Sequence, residues 1–209
     1  IALSEMALLY RSNAQSRVLE HSLFNAGISY RVYGGMRFFD RQEIKHALAY
    51  LRLIANPEDD NALLRVINFP ARGIGTRSLE QLQAIAKVNG ISLWAAAVQQ
   101  SGGQDSLIPQ ADSEKTLKGI AGLVQRIAAL RERCAALLLP QIVEQMLSSS
   151  ELITHYAKER EGAERLENLK ELVNAAASFV HEADGDSLTE FLAHASLEAG
   201  EHQAGNGQD

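Results

Sequence analysis

One cysteine, Cys134, stands alone in 209 residues, so neither an internal disulfide framework nor a multi-cysteine zinc site can be built. The lone thiol fits a reducing compartment and reads as one more core residue on a helix face; a cytoplasmic location is the expectation. No apolar run approaches the roughly 20 residues that span a bilayer, so no membrane partner is expected. The chain begins Ile1-Ala2-Leu3-Ser4-Glu5, with neither an initiator methionine nor the basic and apolar regions of a signal peptide, and we expect it to be a piece of a longer polypeptide. Strand patterns are also scarce: beyond Tyr33 none returns.

What is present is ordinary in bulk and uneven in detail. With 46% hydrophobic and 22% charged residues the chain can bury a globular core. Its net charge of -6 is unevenly spread: residues 1–77 carry a net +3 and the remainder a net -9. A polyanion would therefore be met by the first third, where attraction is not cancelled locally.

Within that third lies Asn68-Phe69-Pro70-Ala71-Arg72-Gly73-Ile74-Gly75-Thr76-Arg77-Ser78-Leu79, a Gly-Ile-Gly turn followed at once by a helical pattern. Gly73 and Gly75 permit positive φ and close approach of a ligand, and Ile74 between them can anchor the turn in a core. If Gly75 or Thr76 caps the following helix, its first N–H groups point outward beside Arg72 and Arg77, a phosphate-binding arrangement. The bland alternative is a tight connection between two helices.

Along the chain, Met6 to Tyr10 reads as a buried strand, Ser12 and Gln15 stand at capping-box spacing, and Ala14, Val18, Leu19, Leu23 and Ala26 can share a helix face ended by Gly27. Ile28, Tyr30 and Val32 then alternate with polar residues. This is strand, helix, strand, and Arg11 and Asn13 fall in the loop where α/β sheets bind ligands; as alternatives, Asn13 is a helix cap and Arg11 a solvated charge. After Gly34-Gly35 the character changes. Asp40 and Glu43 stand at capping-box spacing before a strong amphipathic helix through Ile44, Ala47, Leu48, Leu51 and Ile54, and Pro57 suits the first turn of the next. Past a polar loop at Ser101 to Ser106, helical patterns span about 110–138, 140–148, 151–161, 165–180 and 188–199, the last opened by a Ser187–Glu190 box. The 200–209 tail is polar and glycine-rich.

Three ordered motifs, Leu9-Tyr10-Arg11-Ser12-Asn13-Ala14-Gln15-Ser16-Arg17, Tyr33-Gly34-Gly35-Met36-Arg37-Phe38-Phe39-Asp40-Arg41-Gln42-Glu43-Ile44-Lys45 and Pro70-Ala71-Arg72-Gly73-Ile74-Gly75, resemble the UvrD/PcrA/Rep family of superfamily-one DNA helicases, its UvrD branch most of all. Arg165 to Leu169 and Phe191 to Ala199 extend the likeness to the C-terminal third. The resemblance implies a mainly α fold: residues 1–34 as a βαβ remnant of the second RecA-like (2A) domain, 35–199 as the helical 2B subdomain with a helix-hairpin-helix-like Gly-Ile-Gly turn, and 200–209 as the return linker. It implies a 3′-to-5′ ATP-driven helicase acting in DNA repair. Arg11 and Asn13 would line the single-stranded DNA track. Arg72, Gly73, Ile74, Gly75, Thr76 and Arg77 would meet the duplex backbone, and Gly34 and Gly35, with the glycines of the tail, would form a hinge. Partners would be single-stranded and duplex DNA, the remaining motor domains and repair proteins. ATP and Mg²⁺ would serve the parent enzyme only, since no glycine loop here ends in Gly-Lys-Thr or Gly-Lys-Ser and the acidic metal-binding motif is missing; no catalytic residue and no ATPase activity are expected of this chain alone. His46 departs from the family, which usually carries an acidic residue there.

Two other readings compete. Glu190, His194, Glu198 and His202 are spaced four apart, as metal ligands on one helix face would be, but such a stripe is more ordinarily a solvated face, and no metal is expected. The acidic C-terminal two-thirds favour a helical protein-docking domain with no direct DNA role.

Overall fold

The computed structural model describes residues 2–32, 36–101, 113–183 and 185–200; Gly34, Gly35, most of the 101–106 loop, His202 and the 201–209 tail lie outside the described residues. Helix α1 runs Asn13–Asn25. The side chain of Gln15 returns to the backbone N–H groups of Arg11 and Ser12 at 3.0 and 3.3 Å, half of the expected box, and Gly27 follows the helix at φ 63. The two flanking strands do not form. Among the described residues segments 6–10 and 28–32 carry no ladder, and Met6, Leu8 and Leu9 stand exposed. The difference is physical. A helix closes its hydrogen bonds within its own segment, whereas a strand borrows them from neighbours, and nothing described here lies alongside to supply them.

Helix α2, Gln42–Ala55, is the centre. It is apolar on nearly every side, with Ile44, Ala47, Tyr50, Leu51 and Leu53 fully buried; the burial of Ile44, Leu51 and Leu53 contributes roughly 1.5–3 kcal/mol each. The expected Asp40–Glu43 capping box is absent. Asp40 closes a 3-10 turn over Phe38–Asp40 and pairs with Lys45 at 2.7 Å, while Glu43 is buried and bonded elsewhere. Helix α3, Asp60–Val66, starts later than Pro57: Asp59 caps it through the N–H of Ala62. Helix α4, Thr76–Asn89, ends at Gly90 with φ 61, the left-handed stop that glycine favours.

Helices α5 (Leu93–Ser101), α6 (Ser113–Cys134), α7 (Leu139–Ser149), α8 (Leu152–Tyr156), α9 (Gly162–Ala183) and α10 (Leu188–Gly200) complete the described fold, which is mainly helical. Cys134 is buried at the end of α6, as expected. The amide of Glu190 donates to Ser187 Oγ at 3.3 Å, opening α10. Helix α2 packs against α3, α6, α7, α8, α9 and α10, α4 packs on α5, and α1 docks on α9.

Candidate nucleic-acid interface

The turn between α3 and α4 is built by one asparagine. Asn68 Oδ1 accepts from the backbone N–H of Arg72 at 2.8 Å and of Ile74 at 3.2 Å, drawing the loop into a closed hairpin. The Phe69-Pro70 peptide is cis. Gly73 sits at φ 77, the left-handed region where a Cβ is strained, so this glycine is required by the backbone. Gly75 is different: it is the N-cap of α4 at φ -81, and a Cβ there would meet nothing within 4 Å. Ile74 is buried between them and anchors the turn as expected.

Helix α6 holds the hairpin from behind. Thr116 Oγ1 donates to the carbonyl of Gly73 at 3.3 Å. A Cβ on Gly119 would come within 2.5 Å of the Arg72 carbonyl oxygen and 3.2 Å of Ile74, so the helix backbone lies directly against the turn.

The two arginines have different roles. Both were expected to face a phosphate, but the Arg72 guanidinium turns inward, donating from Nη1 to the Val66 carbonyl at 2.8 Å and from Nη2 to the Tyr50 hydroxyl. Tyr50 in turn donates to the Phe69 carbonyl at 2.9 Å. Burial pushes the Tyr50 pKa up, with Arg72 opposing, so the phenol stays neutral and can donate. Arg72 therefore ties the hairpin to the end of α3 and, through Tyr50, to α2. The outward face carries Gly73, Gly75, Thr76 and Arg77, all exposed. No side chain caps α4, and the N–H groups of its first turn have no helical acceptor, leaving positive partial charge beside Arg77.

The second expected site lies on other elements. Arg11 is exposed at the mouth of a shallow cleft lined by Leu9, Tyr10, Gln15, Val18 and Leu19. Asn13 opens α1 with its backbone, and its side chain lies outside what the structure describes. The structure does not join Arg11 to the hairpin in one site.

Other residues of the quoted motifs prove to be internal joints. Arg41, 5% exposed, donates to Asn168 Oδ1 at 2.9 Å, Ser16 Oγ at 2.6 Å and the Met36 carbonyl at 3.3 Å. Burial lowers its pKa, while Glu20 and Glu43 oppose that. Asn168 Nδ2 donates to Glu43 Oε1 at 2.7 Å, and Arg165 reaches Glu43 Oε2 at 3.4 Å. Motifs more than 100 residues apart thus meet across α1, α2 and α9.

Sequence reasoning named Asn68 in the stretch without giving it a role, and missed Tyr50, Thr116 and Gly119. Asn68, two residues before Pro70, carried a turn signal; the other three are remote in sequence and carried none.

The family model described as "UvrD-like helicase C-terminal domain" matches residues 1–209. DNA helicase II of Escherichia coli (strain K12) is 44% identical over 213 residues, covering 100% of this chain and 29% of that protein. DNA helicase II of Haemophilus influenzae is 44% identical over 207 residues, 97% of this chain and 28% of that protein. The ATP-dependent DNA helicase PcrA of Bacillus subtilis is 36% identical over 197 residues, 93% and 26%. The chain thus spans under a third of the length of these relatives.

Proposed function

Because the chain belongs to the UvrD-like helicase C-terminal domain family, we propose that it is the DNA-binding accessory region of an ATP-dependent 3′-to-5′ DNA helicase acting in DNA repair. In this reading residues 1–34 belong to the second motor domain, with Arg11 and Asn13 along the single strand, and 35–199 form the 2B subdomain, whose Gly73 to Arg77 turn rests on the duplex backbone. The observation that carries it is the outward face of that turn. A rigid hairpin, anchored by Ile74 and locked by Arg72 to Val66 and Tyr50, presents an uncapped helix start and the exposed Arg77. Its groups suit phosphate and reach no base edge, so they position the duplex without reading its sequence.

ATP and Mg²⁺ belong to the parent motor. The Gly73–Gly75 hairpin continues Thr76-Arg77 with no lysine to reach a nucleotide phosphate, so its residues do not fit the nucleotide, and no chemical step is assigned to them.

Fluorescence anisotropy with two unrelated duplexes, titrated at several salt concentrations, tests the reading. Both duplexes should bind alike, with affinity falling as salt rises. Arg77→Ala should lower the logarithmic salt slope by roughly one. If Arg77→Ala and Gly73→Ala bind both duplexes as the parent does, the turn is only a packing element and the protein-docking alternative gains.

A further inference from the structure

The stripe read from sequence as a solvated face is not solvated at Glu198. Glu190 is exposed, but Glu198 is 8% exposed, and the cluster it forms includes a residue from the other end of the chain. His21 Nδ1 of α1 lies 2.6 Å from Glu198 Oε1, and His194 Nδ1, one turn before Glu198 on α10, lies 3.7 Å from the same oxygen. One ligand atom from each of the three residues falls within 4.8 Å of the others.

We propose that His21 Nδ1, His194 Nδ1 and Glu198 Oε1 form a binding site for one divalent transition-metal ion of the zinc class. Two imidazoles and a carboxylate are the donor set that zinc accepts with a fourth position left to water, and bond lengths near 2.0–2.1 Å put tetrahedral ligands roughly 3.3 Å apart. The two histidine–carboxylate separations, 2.6 and 3.7 Å, bracket that value, and the ligand nitrogens of the two imidazoles lie within 4.8 Å of each other, so modest side-chain rotations would admit the ion. The surroundings suit it. Glu182 Oε2 of α9 lies 2.8 Å from His21 Nε2 and accepts a further bond from Asn25 Nδ2 at 3.2 Å. With Nε2 donating to Glu182, the Nδ1 lone pair is left for the metal and gains basicity. Phe24 and Phe179 pack their rings edgewise or tilted against His194 at 5.7 and 5.4 Å, holding the second imidazole. The side chains of His21 and His194 remain 14% and 25% exposed, which leaves an entry path and a place for water.

The ligands come from opposite ends of the chain, so a bound ion clasps α1 to α10 and fixes the N-terminal segment on the helical body. In the metal-free chain burial alone would lower the His21 pKa, but bonds to Glu198 and Glu182 outweigh it and raise it. A proton therefore competes for the same nitrogen.

Isothermal titration with Zn²⁺ at pH 7.5, with Mg²⁺ and Ca²⁺ as controls, is the test. It is accompanied by thermal melts and by the visible spectrum of a Co²⁺-loaded sample. Expected are one Zn²⁺ per chain, a rise in melting temperature, no comparable response to Mg²⁺ or Ca²⁺, and Co²⁺ bands of low coordination number. His21→Gln and His194→Gln should each weaken Zn²⁺ binding at least tenfold, and Glu182→Gln about tenfold, with helical circular dichroism at 25 °C retained. If Zn²⁺ fails to saturate the folded parent, or if it binds the parent and both histidine variants alike, the proposal is overturned and His21 is a protonated link between two carboxylates. If a histidine variant fails to fold, Co²⁺ bands in the parent without nitrogen-ligand character overturn it instead.

Discussion

His46 should make the fold acid-sensitive in a window set by its burial. Its Nδ1 lies 2.6 Å from the Tyr156 hydroxyl, its ring stacks on Phe69 with centroids 3.7 Å apart, and it is 6% exposed. Burial, with Arg65, His155 and Arg165 adding repulsion, pulls its pKa down to about 4, so the ring is neutral at pH 7 and shares one hydrogen bond with Tyr156. Because the folded pKa lies below the unfolded value of roughly 6.5, the stabilisation is fully present above that value and is lost as pH falls toward 4. The full linkage between pH 7 and pH 5 comes to about 2 kcal/mol; screening at the ring edge leaves about 1–2 kcal/mol. His46→Gln keeps an amide able to donate to or accept from Tyr156 but cannot take a proton. Urea denaturation of both proteins at half-unit pH steps from 7.5 to 5 isolates the effect, since other titrating groups cancel in the difference. The parent should lose its advantage over the variant steadily below pH 6.5. A difference that stays constant within a few tenths of a kcal/mol would refute the argument.

The hairpin yields three sharper contrasts. Gly73→Ala should cost about 1–2 kcal/mol in a denaturant melt because its φ of 77 is strained for any Cβ, whereas Gly75→Ala, with open space around it, should change stability by only a few tenths of a kcal/mol. Arg72→Ala should cost roughly 2–3 kcal/mol by leaving the Val66 carbonyl and Tyr50 hydroxyl without their partner, while Arg77→Ala should lower the salt slope of duplex binding by roughly one. Gly119→Ala should destabilise by about 1–3 kcal/mol, since its Cβ would strike the Arg72 carbonyl at 2.5 Å and push the turn outward; an unchanged melt would mean that α6 does not support it.

Sequence legibility divided along the range of the interactions. Gly73, Ile74 and the start of α4 were legible because glycine tolerance, an apolar anchor and helical periodicity are local properties. The direction of Arg72 was not, because one of its acceptors is Tyr50, 22 residues earlier, and a charged residue beside a glycine turn looks the same whether it faces ligand or core. Asp40 and Glu43 had capping-box spacing, yet Glu43 is drawn inward by Asn168 and Arg165, a tertiary demand that outweighs a local cap. Met6 to Tyr10 carried a strand's composition without the neighbours that make a strand. His194 and Glu198 had helix spacing, but their third companion, His21, lies more than 170 residues away, and no periodicity could reveal it.

These long contacts converge on α2, and that gives the hairpin its mount. Along this one helix Glu43, His46, Tyr50 and Arg52 project polar groups, and each reaches a different remote element: Asn168 of α9, Tyr156 of α8, the Phe69 carbonyl and Arg72 of the turn, and Ser196 of α10. Glu43, His46 and Tyr50 are buried, and their polar atoms carry a desolvation cost recovered only when each finds its partner; the Arg52 bond lies at the exposed edge. Each bond therefore specifies one arrangement of the surrounding helices rather than merely adding stability. Apolar packing alone tolerates small slides between helices, whereas a hydrogen bond near 2.7 Å does not. The outward N–H groups at Gly75 to Arg77 would thus be held in fixed register with α9 and α10, and a phosphate seated on them would meet a preorganised surface. Polar substitutions in α2 should consequently weaken duplex binding without touching DNA, and His46→Gln at neutral pH, where its fold is intact, is the mildest such perturbation.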